Sequence, residues 1–144
     1  MLVRSAEVQS LLQDLIHECP GVESAVLVSQ DGILLASNMT DETKKERFSL
    51  MIASFLSLAM HMGDVLHTGA IQQALVKGKD GYLVMVSIQD RGILACLANN
   101  KAKLGWITLE MNQTAARLSE HIHPVAYGTA MLNPGILEQF EKKR

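Results

Sequence analysis

Three short turn signals constrain the fold more than any other feature of the sequence. Gln30-Asp31-Gly32, Lys79-Asp80-Gly81 and Asp90-Arg91-Gly92 each stand between two apolar runs. Asp and Gly are typical of tight turns. Links this short join only antiparallel strands, because a parallel crossover needs about a dozen residues or more. One antiparallel sheet of five strands is therefore predicted, with strands at residues 22–29, 33–37, 69–77, 82–88 and 93–98.

Apolar residues at three- and four-residue steps predict three helices around these strands. The first runs from Ser5 to Glu18 and ends before Pro20, which cannot continue a helix. The second covers about residues 41–66, with Thr40 or Asp41 as its cap, and the third about residues 101–122, with Asn99 or Asn100 as its cap. The predicted order is α-β-β-α-β-β-β-α, an α/β (α+β) fold with a five-stranded antiparallel sheet between helices.

Composition and charge exclude several classes of function. The net charge is −2, and the basic residues are scattered except at Lys142-Lys143-Arg144, so no nucleic-acid partner is expected. We find no basic-then-apolar export signal and no uninterrupted apolar run of about 18 residues, so we expect a cytoplasmic protein without direct membrane insertion. In that compartment Cys19 and Cys96 are expected to be reduced.

No catalytic, cofactor or metal site is predicted. Gly32, Gly81 and Gly92 belong to turns. They form neither a GxxxxGK nor a GxGxxG motif, so no loop that binds phosphate is predicted. His61, Asp64 and His67 lie at three-residue steps, but they fall at a helix end next to Gly63 and lack a further fixed ligand. We therefore expect a protein that is not an enzyme and carries no cofactor or metal.

The second helix and the third strand instead predict a self-association surface. The helix is apolar on two flanks, one carrying Phe48, Ile52, Phe55, Ala59, Met62 and Leu66 and the other Met51, Leu58 and Val65. A domain of this size cannot cover both flanks without a second copy. The third strand has glutamines at its centre, which suits a sheet edge that pairs with itself. The expected dimer or partner interface comprises Met51, Phe55, Leu58, Met62, Val65, Ile71, Gln72, Gln73, Ala74 and Leu75.

Several segments resemble the roadblock/dynein-light-chain-7 (LC7) domain family in the same order and spacing. The segment from Pro20 to Gly32 is similar to that family's opening hairpin, and Gly81 to Val86, Ile93 to Ala98 and Leu104-Gly105 are similar to its fourth strand, fifth strand and last helix. The likeness covers about residues 5–122 and is nearest to prokaryotic members that accompany a Ras-like small GTPase. The resemblance implies a roadblock/profilin-like fold.

The resemblance also implies a function. Such domains form homodimers through their third strands and second helices, lack an active site, and bind small GTPases. We therefore expect a homodimeric adaptor that binds a Ras-like small GTPase and modulates its nucleotide state or localisation, with Arg47 as a candidate GTPase contact. Whether the protein accelerates GTP hydrolysis, and in which cellular pathway it acts, stays open.

One alternative is a longin/profilin-like scaffold subunit of a trafficking or signalling complex, without GTPase regulation. A more distant one is a small enzyme or ligand-binding module that uses Cys96 or the His61 group.

The chain is expected to divide into a domain and a tail. Residues 1–122 form the domain, and residues 123–144, broken by Pro124, Gly128 and Pro134-Gly135, form a tail that is either mobile or docked on a partner. Asn133-Pro134 suits the start of a short helical turn, after which Ile136, Leu137 and Phe140 fall on one side.

The missing phosphate loop yields a first prediction. The isolated protein should bind neither GTP nor GDP, because it offers no cradle of backbone amides for the phosphates. Titration calorimetry of the purified chain with each nucleotide checks this, and micromolar affinity for GTP would contradict it.

Overall fold

The computed structural model describes residues 5–122 except residue 90. The predicted tail, residues 123–144, therefore lies outside the described residues, and so does its predicted boundary with the domain. Within that range the helices and strands follow the predicted order. They are α1 (Ser5–Glu18), β1 (Val22–Val28), β2 (Leu34–Ser37), α2 (Glu42–Leu66), β3 (Gln73–Lys77), β4 (Gly81–Ile88), β5 (Gly92–Asn99) and α3 (Leu104–Leu118).

The five strands form one antiparallel sheet in the order β2-β1-β5-β4-β3. This confirms the predicted fold class. The central strand β5 lies between β1 and β4, and residues 92–96 of it are buried. The strand β3 pairs with β4 alone and so forms one edge of the sheet, as its glutamines indicated.

Helices cover both faces of the sheet. On one face α1 and α3 pack together over side chains such as Leu27, Leu94 and Cys96. On the other face Ile52 and Leu56 of α2 pack on alternate residues of the same strands. The contacts of α2 are mainly with β1, β2 and β5, so this helix covers the β2 side of its face more than the β3 side.

The start of α2 follows from its cap, and its buried side includes only part of the apolar stripe in its sequence. The carboxylate of Asp41 accepts a hydrogen bond from the Lys44 amide at 3.1 Å, which satisfies one free amide of the first turn. The buried residues of the helix are Ser49, Ile52, Leu56 and Gly63. Phe55, Met62 and Leu66 share a side of the helix with Ile52 in the sequence pattern but are exposed, because the part of α2 that packs on the sheet is centred on Ser49, Ile52 and Leu56.

Two predicted boundaries were also wrong. The third strand begins at Gln73 rather than Gly69, because His67 and Gly69 take left-handed conformations (φ 58° and 89°) that reverse the chain after α2. The third helix begins at Leu104, and its capping position is Lys103, whose side chain makes no capping bond. The carbonyl oxygen of the Asn99 side chain instead accepts from the Lys101 amide at 3.0 Å and closes a turn before the helix.

Gly63 shapes the connection from α2 to β3. A Cβ atom at this position would lie 2.8 Å from the Gly69 carbonyl oxygen and 3.2 Å from the Ile71 side chain. The Thr68 amide donates to the Gly63 carbonyl at 3.0 Å, so the returning chain is tied directly over this residue. Only a residue without a side chain fits under the turn.

A pair of glycine substitutions tests this packing. Gly63→Ala should lower the free energy of unfolding by about 1–3 kcal/mol, the usual cost of forcing extra atoms into a packed site. Gly105→Ala should raise it by up to about 1 kcal/mol, because a Cβ atom there meets nothing within 4 Å and alanine favours the helix. Urea unfolding of both variants measures the difference. Equal effects of the two substitutions would contradict the assignment.

Candidate interaction surface

The outer face of α2 carries a continuous stripe of large apolar side chains. The stripe consists of Met51, Phe55, Leu58, Met62 and Val65, which the sequence already assigned to an interface. Their steps of four, three, four and three residues place them along one line of the helix, about 21 Å long. Leu58 and Val65 are each 61% exposed and Met51 is 59% exposed. We call these five residues the α2 stripe.

This exposure is unusual for a folded chain. Scattered apolar side chains on a surface need no explanation, whereas a contiguous patch indicates an interaction site. The steps of the α2 stripe also match the a and d positions of a heptad, the pattern by which helices pair side by side. Two further exposed leucines, Leu50 and Leu66, were not assigned to the interface from the sequence.

Arg47 lies on the same side of α2, four residues before Met51. It is exposed, and Lys44 lies one helical turn further towards the start of the helix. The nearby ion pair joins Lys45 to Glu42 at 2.7 Å and does not involve Arg47. A guanidinium group at the end of an apolar stripe can bind a carboxylate or phosphate of a partner docked there.

Pairing with β4 determines which backbone N–H and C=O groups of the edge strand β3 face outward. The Ser87 amide donates to the Gln72 carbonyl at 2.9 Å, and the Gly78 amide donates to the Gly81 carbonyl at 2.8 Å. Because hydrogen-bonded pairs alternate along an antiparallel ladder, residues 72, 74, 76 and 78 turn their backbone towards β4. Gln73, Leu75 and Lys77 therefore turn their N–H and C=O groups towards the open edge.

The predicted interface residues do not all occupy the same kind of position. Gln73, Ala74 and Leu75 lie in β3, but Ile71 and Gln72 precede it. Ile71 is partly buried against the core under α2, and its side chain lies beside Gly63. The residue therefore links the end of α2 to the start of β3, so the two candidate surfaces adjoin.

By length and composition α2 is also the one helix, among the described residues, that could cross a membrane. Its Ile52 and Leu56 side chains are nevertheless buried against the sheet. The exposed part of the helix includes the α2 stripe. What covers this stripe therefore decides whether the apolar character of α2 serves a protein contact or a lipid contact.

The chemical groups considered for catalysis are poorly placed for it. Cys96 is fully buried in β5, and burial raises the pKa of its thiol. Burial, with the Glu110 and Glu18 carboxylates, raises the pKa of Cys19 to about 11. Neither thiol is an available nucleophile near neutral pH. Within residues 5–122, residue 90 apart, no three His, Cys, Asp or Glu side chains form a metal-binding group.

Comparison with known proteins identifies the domain. The family model of the Roadblock/LC7 domain matches residues 8–98, which include β1 to β4 and most of β5. The uncharacterized protein MJ1340 of Methanocaldococcus jannaschii is 24% identical over 103 residues, which cover 72% of this chain and 90% of that protein.

Two solved structures share the fold. A Roadblock/LC7 domain from Streptomyces avermitilis has a TM-score of 0.74 at 22% identity, covering 78% of this chain and 94% of that one. The protein MglB from Myxococcus xanthus has a TM-score of 0.75 at 15% identity, covering 81% of this chain and 95% of that one. At these identities the likeness extends to the fold alone.

The alternation of backbone direction in β3 yields a prediction. Leu75→Pro should abolish pairing through the edge and leave the domain folded, because proline is tolerated where the missing N–H would face outward. Ala74→Pro should instead destabilise the fold, since it removes an amide that faces β4. Light scattering measures the mass of each variant and thermal unfolding its stability.

Leu75→Ala serves as the control, because it shortens the side chain and keeps the amide. A Leu75→Pro protein with unchanged mass, or an Ala74→Pro protein as stable as the wild type, would contradict the assignment of the outward amides.

Proposed function

The chain belongs to the Roadblock/LC7 domain family, and on that premise we propose that it is a non-catalytic, homodimeric, cytoplasmic adaptor for a Ras-like small GTPase. It would bind the GTPase on the surface formed by the paired α2 helices and modulate its nucleotide state or its localisation. The observation that carries the proposal is the α2 stripe. A stripe of this length must be covered, and its heptad spacing favours a second α2.

Burial of the stripe supplies energy for association. Full burial of a fully exposed large apolar side chain contributes about 1.5–3 kcal/mol, and the five residues in each copy are 41–61% exposed, so about half of that figure is available from each. Association also costs several kcal/mol in lost freedom of motion, so the stripe alone gives a moderate surplus. Backbone hydrogen bonds between two β3 edges add to it and fix the direction of the partner.

The two surfaces suit one symmetric arrangement. A two-fold axis brings the same patch of each copy together, so α2 meets α2 and β3 meets β3. The short link through Ile71, which lies beside Gly63 of α2, holds the helix and the edge next to each other within one copy. Both contacts are therefore compatible with a single interface, and the sheet of one copy continues into that of the other.

The GTPase part of the proposal rests on the family. The resemblance to prokaryotic roadblock proteins implies a Ras-like partner, and the solved relatives include MglB of Myxococcus xanthus. The position of Arg47 supports this part of the proposal, because its side chain is exposed at one end of the α2 stripe. In a dimer, the two Arg47 side chains would lie at the margins of the paired helices, where a partner can reach them.

A matched pair of leucine variants tests the dimer. Leu58→Glu should yield a monomer, because it places a charge inside the paired stripe. Leu50→Glu should remain a dimer, since Leu50 is equally exposed (60%) on the same helix but lies off the stripe. Light scattering at micromolar concentration should give twice 15.8 kDa for the wild type. A monomeric wild type, or one that binds lipid vesicles as a monomer, would contradict the proposal.

The GTPase contact needs a separate measurement. The wild-type dimer should bind the Ras-like GTPase encoded nearest to its own gene, loaded with a non-hydrolysable GTP analogue, and Arg47→Ala should weaken that binding without changing the dimer mass. Calorimetry measures both affinities. If the dimer forms and the GTPase does not bind, the GTPase part is wrong, and the scaffold alternative explains the dimer.

A further inference from the structure

A second apolar site lies on the opposite side of the sheet from α2. A cavity of about 220 Å³ opens between the end of α1 and the start of α3, lined by Pro20, Lys101, Lys103, Trp106 and Ile107. Trp106 is 53% exposed, whereas Ile107 is buried and forms the inner wall. We call this site the Trp106 cavity. It takes no part in the proposed dimer or GTPase contact.

The walls of the cavity are held firmly in place. The indole N–H of Trp106 donates to the Glu18 carbonyl oxygen at 3.0 Å, which fixes the ring and leaves its apolar faces to meet a ligand. The Asn99 amide donates to the Gly21 carbonyl at 2.8 Å, and a Cβ atom on Gly21 would lie only 2.6 Å from the Ala102 side chain. The loop after α1 and the loop before α3 therefore form one packed unit.

The size and charge of the cavity restrict its occupant. Sites for small molecules usually measure about 300–1,000 Å³, so this cavity suits one large side chain rather than a free metabolite. Its charged lining side chains are both lysines, Lys101 and Lys103. A segment that carries an aromatic or large aliphatic side chain next to carboxylates is therefore the complementary ligand.

The chain itself contains such a segment after its last described residue. Ile136, Leu137 and Phe140 would share one side of a helical turn, and Glu138 and Glu141 lie beside them in the sequence. A helix this short is not stable alone in water, so it needs a surface on which to form. Apolar anchors flanked by acids match an apolar cavity flanked by lysines.

The length of the chain allows this contact within one molecule. The helix α3 has 15 residues, so the cavity near its start lies about 22 Å from its end. Ile122 is buried beside Gly92, close to the far end of that helix. Residues 123–135 can span up to about 43 Å, which is ample for a return along the helix.

We propose that residues 134–141 dock on the Trp106 cavity of the same chain, with Phe140 entering it and Glu138 and Glu141 facing Lys101 and Lys103. The exposed indole is then covered by the tail. The tail is thereby held on the face opposite α2 and away from the proposed dimer interface.

Trp106 is the one tryptophan of the chain, so its fluorescence reports on the cavity directly. In the full-length protein, Phe140→Ser should shift the emission to longer wavelength and increase quenching by acrylamide, because water reaches the indole. Met131→Ser, which removes a large apolar residue from the tail outside the docking segment, should change neither. A peptide of residues 132–144 should reverse the shift in the Phe140→Ser protein, and a scrambled peptide should not.

Charge reversal provides an independent measurement. The pair Lys101→Glu and Lys103→Glu should expose Trp106 in the same way, and adding Glu138→Lys and Glu141→Lys should restore the wild-type emission. The proposal is overturned if Phe140→Ser leaves the emission unchanged, if Met131→Ser has the same effect, or if the charge swap fails to restore it. A wild-type emission that shifts on dilution to the monomer would assign the docked tail to the second copy and overturn the contact within one chain.

Discussion

The pairing of β5 with β1 on one side and β4 on the other is the interaction on which the rest of the structure depends. Residues of β5 alternate between the two faces of the sheet, with Leu94 and Cys96 towards α1 and α3 and with Ile93 and Ala95 towards α2. A slip of one residue would exchange the two sets. The register of this one strand thus positions both cores, and the three helices can cover the sheet only in that register.

Because helices cover both faces of the sheet, the groups that other molecules can reach lie at the periphery of the domain. The interior residues, including both cysteines, are used for packing, and burial raises the pKa of each thiol, which keeps it protonated. What is available to other molecules is the outer side of α2, the open edge of β3 and the surface around Trp106. These are surfaces for binding, which agrees with the proposed adaptor function.

The two proposed sites are separated by the sheet itself. The α2 stripe with the β3 edge is the proposed surface for association between chains, while the Trp106 cavity lies among α1 and α3 on the other face of the sheet. The first is long, apolar and heptad-spaced, so it suits a helix. The second is small, rigid and flanked by lysines, so it suits a single anchor. Because the two sites lie on opposite faces of the sheet, occupation of one leaves the other accessible.

Local chemistry determined the type and order of the elements, because turn residues and helical or strand periodicity act over a few neighbouring positions. The cap at Asp41, the stop before Pro20 and the tight turns between strands all followed from the residues nearby. The start of β3 did not, since the left-handed turn at His67 and Gly69 depends on how the chain crosses Gly63. Which flank of α2 is buried, and which amides of β3 face outward, are set by pairing with β4 and by packing on distant strands. The Trp106 cavity arises where the end of α1 meets the start of α3, and only the tertiary structure brings Glu18 and Trp106, 88 positions apart, into contact.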